Sequence, residues 1–208
     1  MSVAVIKYDR DMGRWEPNAR GRLAQAAMTL YAEQGFEQTT VAEIAGRAGL
    51  TERTFFRHFA DKREVLFYGM DMARDLLTRT IAEAPASATP MEAIGTALQA
   101  LGAVFQENPE RVRLRNAVVS ANAELREREL SKLQAFAASV AGALRDRGIP
   151  ELTASLAAET GIAVFKVAFA RWISEPGEAD LPGILAESMA ELTGVLTNRL
   201  ASSASPAA

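Results

Sequence analysis

The chain has 208 residues, 49% of them hydrophobic and 24% charged, enough to bury a core and to build one small domain joined to a larger one. It contains no cysteine, which removes disulfide frameworks, thiolate zinc sites and cysteine nucleophiles together. A net charge of −3 gives the whole molecule no electrostatic claim on nucleic acid, and the opening MSVAVIKYDRDMGRW lacks an apolar core of signal-peptide length. No later segment reads as apolar for long enough to span a bilayer, so no membrane partner is expected and a cytoplasmic location is the default.

In chain order, residues 1–15 are read as a flexible arm carrying Arg10 and Arg14. A first helix opens near Pro17, where the first turn tolerates proline. Leu23, Ala27 and Leu30 give it one buried stripe, which ends before Gly35. Thr40-Val-Ala-Glu43 announces a second, short helix. A threonine hydroxyl can accept from the third backbone N–H while the glutamate reaches back to the threonine N–H. Val41, Ile44, Ala45 and Ala48 fall on one face of it. Gly49 can take the positive φ that ends a helix and turns the chain.

After Leu50, Thr51 is placed to cap a third helix through Phe59, with Phe55 and Phe59 sharing its buried face. Thr51, Glu52, Arg53, Thr54, Phe56, Arg57 and His58 are left on the outer face or at the helix start. In a helix-turn-helix that binds DNA, this end is presented to the major groove. A further capping box, Asp61-Lys62-Arg63-Glu64, is expected to open a helix running to about Ala84, with Leu66, Met70, Ala73 and Leu77 on one face. Its first N–H groups and two cations could face a phosphate.

Residues 1–75 carry 11 basic and 11 acidic side chains, against 12 and 15 in residues 76–208. The acidic excess therefore lies outside the reader. Arg47, Arg53, Arg57, Lys62 and Arg63 gather around it, with Arg10, Arg14, Arg20 and Arg22 nearer the N-terminus.

The stretch from Gly35 to Leu66 resembles the N-terminal domain of the TetR family of transcriptional regulators. The shared pattern comprises Gly35-Phe36, Thr39-Thr40, Ile44-Ala45, Ala48-Gly49, Thr51, Phe55-Phe56, His58-Phe59 and Lys62 through Leu66. One departure is Phe56, where the family often has tyrosine, so a hydroxyl contact to phosphate would be missing while apolar contact with a thymine methyl stays available. The resemblance implies base reading by Arg53, Thr54 and Arg57, and phosphate positioning by Thr40, Thr51, Phe56, His58 and Lys62. His58 has packing beside Phe59 as its alternative.

Beyond Glu83–Thr89, a proline-containing break, Thr89-Pro90-Met91-Glu92 combines a capping box with a proline at the first helical position. Helices are expected over Pro90–Glu107, Pro109–Asn122, Glu124–Arg147, Glu151–Ser174 and Leu181–Leu200, with no convincing strand. The fourth of these is apolar almost all round and must be covered on more than one side. Lys166 and Arg171 within it either snorkel to the surface, pair with Glu159 or Glu175, or meet an acidic ligand. The last helix carries a stripe of Leu185, Met189, Leu192 and Leu196 flanked by Ala186, Ala190 and Gly194. The resemblance implies that the last two helices pair with those of a second copy in a homodimer, with a single monomeric core as the alternative.

Arg111, Arg113 and Arg115 spread over their helix, and Glu124–Leu130 reads as a solvated charge run. Met70, Leu101, Phe105, Phe136, Phe165 and Trp172 are either core or, as the resemblance implies, the lining of an apolar effector cavity.

The expectation is an all-α chain. A helix-turn-helix DNA-binding domain spans residues 16–62, a helical ligand-binding and dimerisation domain spans 63–200, and a disordered tail spans 201–208. Neither Gly-x-Ser-x-Gly, a phosphate-binding Gly-x-x-x-x-Gly-Lys-Ser/Thr loop, His-Glu-x-x-His nor a dinucleotide fingerprint occurs, so no enzyme, metal or cofactor is expected. The function implied is a ligand-responsive regulator, with double-stranded DNA and a small apolar effector as partners. Its rivals are an all-helical interaction protein with a non-binding helix-turn-helix, and an enzyme using the C-terminal cavity.

Overall fold

The computed structural model describes residues 18–175 and 180–203, with side chains as far as Leu196. The expected arm, Pro17 and residues 204–208 of the expected tail lie outside them. Two compact units divide the chain, one ending at Tyr68 and the other beginning at Gly69. The described residues contain nine α-helices, one 3-10 turn and no strand.

In the first unit, α1 (Ala19–Gln34) starts at Asn18, whose side chain accepts from the Gly21 N–H at 2.8 Å. It buries Leu23, Ala24, Ala27, Leu30 and Tyr31, the expected stripe with one more turn. The reciprocal box that opens α2 (Val41–Arg47) is present: Thr40 Oγ1 accepts from Glu43 N at 3.2 Å, and the Glu43 carboxylate accepts from Thr40 N at 2.8 Å. Gly49, at φ +67°, then lets Leu50 N donate to Ala45 O at 2.8 Å. Thr51 caps α3 (Glu52–His58), its hydroxyl accepting from Thr54 N at 3.2 Å. At seven residues each, α2 and α3 are too short to persist alone. Caps and the burial of Ile44, Ala45, Phe55 and Phe59 hold them.

The helix expected from Lys62 to Ala84 is broken. The Asp61 carboxylate takes the N–H groups of both Arg63 and Glu64, at 2.8 and 3.0 Å, and winds the chain into a 3-10 turn over Glu64–Phe67. Tyr68 is extended and Gly69 has φ +96°, so α4 begins only at Met70 and runs to Ala82. The first unit thus extends past the boundary expected at 62/63.

In the second unit, α4 is followed by α5 (Pro90–Gln106), α6 (Pro109–Ala121), α7 (Ala123–Asp146), α8 (Glu151–Ser174) and α9 (Leu181–Ser203). Thr89 and Glu92 form their box with Pro90 in the first turn, and Asn108 and Asn122 cap α6 and α7. The helix α9 runs through the first three residues of the tail expected to be disordered. One apolar core joins Leu77 and Ile81 of α4 to α5, α7, α8 and α9. At Gly161 the helices α8 and α5 approach so closely that an added Cβ would lie 2.6 Å from Ile94 Cγ2.

Arg147 closes the other end of α4. Its guanidinium donates to the carbonyls of Ile81 and Ala84 at 2.9 and 2.6 Å and of Pro85 at 2.7 Å, supplying partners to a helix C-terminus. Contrary to expectation, α8 is long and apolar enough, by length and composition, to cross a membrane. It is instead a core helix packed on α5, α7 and α9, with Ala154, Ala157, Ala158, Gly161, Ile162, Val164, Ala168 and Trp172 buried.

Candidate nucleic-acid interface

The Gly49 bend places α3 against α1 and α2 with Phe55 and Phe59 turned inward, 0% and 3% exposed. Their rings lie 5.5 Å apart, and Phe55 meets Phe56 edge-on at the same separation. Glu52, Arg53, Phe56 and Arg57 remain on the outside, and Phe56 is 56% exposed, a large ring left in water on a helix otherwise faced with polar groups. Among the described residues, Arg53 and Arg57 make no ion pair, so their guanidinium donors are available to an acceptor from outside.

The two threonines proposed for phosphate already work for the backbone. Thr40 Oγ1 donates to the Glu43 carboxylate at 2.8 Å as well as accepting from its N–H. Thr51 Oγ1 holds Thr54 N and lies 3.1 Å from Thr54 Oγ1. Both sit at helix starts on the exposed side, where a capped N-terminus favours negative charge.

Lys62 has a different task from the one expected. Its ammonium donates to the carbonyls of Phe36, Glu37 and Thr39 at 2.8, 3.1 and 2.9 Å, and lies 4.6 Å from the Phe36 ring centroid. An ammonium has three N–H donors, and all three are taken. Lys62 therefore ties the loop between α1 and α2 to the segment after α3 and has no donor left for a phosphate. Tyr31 completes the tie: its hydroxyl donates to Lys62 O at 2.7 Å, and burial pushes its pKa well above the usual range.

Two other basic residues, Arg47 and His58, are also engaged within the unit. Arg47 is matched by Glu33 of α1 at 2.8 Å and does not contribute an uncompensated charge. The Nε2 of His58 is buried without a hydrogen-bond partner, which favours the packing reading over contact with phosphate through that nitrogen. Burial, then Arg57, then Arg20, hold its pKa below the usual histidine value and keep it neutral.

The six residues read as core or cavity lining all join the apolar core of the second unit. Phe105, Phe165 and Phe169 stand 5.5 to 6.2 Å apart, and Phe169 reaches Trp172 at 5.9 Å, adding one ring to the expected set. Arg113 of α6 lies 4.9 Å from the Trp172 ring centroid. Arg115 pairs with Glu129 of α7, and Arg171 with Glu175 and Glu187 at 3.0 and 2.8 Å, so of the three readings for Arg171 the pairing with Glu175 is present, on a side chain that also reaches the surface. Two surface clefts of about 390 and 600 Å³ lie along α4 and at the α4–α5 loop, and none of the six residues lines either.

Residues 23–68 match the family model described as bacterial regulatory proteins, tetR family, and residues 88–197 match the MftR C-terminal domain. Over 82 residues the chain is 35% identical to the HTH-type transcriptional regulator TcmR of Streptomyces glaucescens, a match covering 39% of this chain and only 36% of that relative. The fold is similar to that of the fatty acid degradation regulator FadR from Bacillus halodurans, with a TM-score of 0.63 at 19% identity over 88% of this chain and 97% of the other. It is also similar to FadR from Bacillus subtilis in complex with stearoyl-CoA, with a TM-score of 0.61 at 19% identity over 81% and 95% of the two chains.

Proposed function

The chain belongs to the tetR family of bacterial regulatory proteins, and from that premise we propose that it is a cytoplasmic transcriptional repressor that binds a near-palindromic operator as a homodimer and is released by a small, largely apolar effector. The observation that carries the reading is the outer face of α3. Two arginines without an ion-pair partner among the described residues and an exposed phenylalanine stand on a short helix whose start is capped and whose inner face is sealed. Arg53, Thr54 and Arg57 are assigned to base edges, and Thr40, Thr51 and Phe56 to the sugar-phosphate backbone.

The proposed dimer has support in α8 and α9. Leu152, Leu156 and Val167 are 72%, 61% and 67% exposed along one side of α8, and Val195 and Leu196 are 54% and 59% exposed on α9. An apolar stripe of this kind on a long helix calls for a partner helix. The body would take an apolar effector among Leu101, Phe105, Phe165 and Trp172, with Met70 and Phe136 beside them; the stearoyl-CoA bound by the Bacillus subtilis protein makes acyl chains a first probe. Binding would be linked to DNA through two body conformations: an effector preferring the one in which the readers are wrongly spaced lowers operator affinity by that preference.

Selection of bound sequences from a random duplex library by the full chain tests the reading. Enrichment of a two-fold-related motif is expected, with Arg57→Ala losing about 1 to 3 kcal/mol of discrimination at one base pair of each half-site. A library that emerges without enrichment would leave the helix-turn-helix as an interaction module.

A further inference from the structure

Arg20, in the first turn of α1, is held between two rings. Its guanidinium carbon lies 5.3 Å from the Phe59 ring centroid and 5.2 Å from that of Tyr68, and those rings stand edge to face 6.1 Å apart. One ring follows the last residue of α3 and the other closes the first unit, so the stack fixes the arginine relative to the reader helix. Aromatic faces attract a guanidinium but do not take its N–H groups in the plane, where a planar fork binds an oxyanion. Among the described residues no carboxylate or carbonyl takes them either.

Among the described residues, neither Arg20 nor Arg57 has an ion-pair partner. Arg57 is exposed, and both arginines act on His58 from close by, disfavouring its proton. Two cations with no ion-pair partner among the described residues thus stand near a neutral imidazole, and one of them is already immobilised, which removes much of the ordering cost that a long flexible side chain brings to binding.

We infer that Arg20 grips one backbone phosphate of duplex DNA, with the Phe59–Tyr68 pair pre-setting its guanidinium and the charge of Arg57 reinforcing it. The inference rests on the regulator reading and adds a contact from α1 to those of α2 and α3. Because a phosphate is common to every sequence, this contact contributes register and affinity but no selectivity.

The test compares the full chain with Arg20→Gln and Arg20→Lys on a duplex recovered by the wild type and on a scrambled duplex. Arg20→Gln should weaken both by about tenfold and lower the salt slope by about one. Arg20→Lys, which keeps the charge but not the planar fork, should fall between. Ethylation of a single phosphate in each half-site should block the wild type and become indifferent in Arg20→Gln. Melting curves verify that the variants are folded. Should Arg20→Gln not fold, Arg20→Lys decides by the same ethylation pattern.

A folded variant with wild-type affinity, salt slope and ethylation pattern would overturn the proposal, as would a loss confined to the recovered sequence. Orthophosphate stabilising the wild type but not Arg20→Gln, with duplex binding unchanged, would give the arginine to a free anion and equally overturn it. If the wild type retains no duplex at all, the regulator reading itself fails.

Discussion

The two units are built by opposite means. In the first, helices of 7, 7 and 16 residues are pinned by side chains acting on backbone: Thr40 and Thr51 at helix starts, Asp61 in a turn, Tyr31 and Lys62 across a loop. In the second, helices of 13 to 24 residues are held chiefly by one apolar core reaching from Leu77 to Leu185. A short helix cannot close enough of its own hydrogen bonds to stand, so its stability is concentrated in a few polar anchors, whereas a long one distributes it over many contacts. The first unit should therefore be sensitive to single polar residues as well as to its buried rings, and the second chiefly to removal of a large side chain.

The largest effect is expected from Trp172→Ala. The indole is fully buried, and its loss should cost about 3 to 5 kcal/mol, read as a lowered denaturation midpoint for the second unit. A cost below about 1 kcal/mol would mean that this core is loosely packed.

Next, Lys62→Met should destabilise the first unit by about 2 kcal/mol, because three carbonyls lose one charged partner. Its DNA binding should weaken through lost folded population, with the salt slope intact. A flattened slope at unchanged stability would return Lys62 to the phosphate role read from its motif.

Smaller again, Thr51→Ala should cost about 1 kcal/mol in thermal or chemical unfolding through the lost cap of α3. Thr51→Asp, which keeps a cap acceptor, should retain stability while repelling phosphate, separating the two uses of one position.

The mildest expected effect is one of pH. His58 has a folded pKa below its ordinary value, so the unfolded chain binds more protons as pH falls through the ordinary histidine range. Stability of the first unit should therefore decline between about pH 7.5 and about pH 5.5, and His58→Gln should reduce that decline. Identical pH profiles for the two proteins would show that the imidazole environment is not what distinguishes the folded state.

The same contrast explains what could be read in advance. Caps are local, so Thr40-x-x-Glu43, Thr51 and Thr89-Pro90-x-Glu92 marked helix starts to the residue, and the segments expected for α5 to α8 lie within one residue of their bounds. The outward face of α3 was legible from Phe55 and Phe59. What failed was non-local or ambiguous. Asp61-x-x-Glu64 has the composition of a helix start and also of a tight turn, and only Tyr68 and Gly69 show that the turn prevails. The inward direction of Lys62, the ring stack on Arg20 and the pairing of Arg47 with Glu33 join residues 14 or more positions apart, and no spacing rule announces them.

Arg147 gathers the terminal acceptors of α4 and holds them where α7 ends. The leading turns of the same helix are held differently, by apolar packing of Met70, Ala73 and Leu76 on the core. Sliding along its axis would strain three charged hydrogen bonds at once. One guanidinium thus acts as an axial stop for a helix that apolar packing alone would hold only sideways.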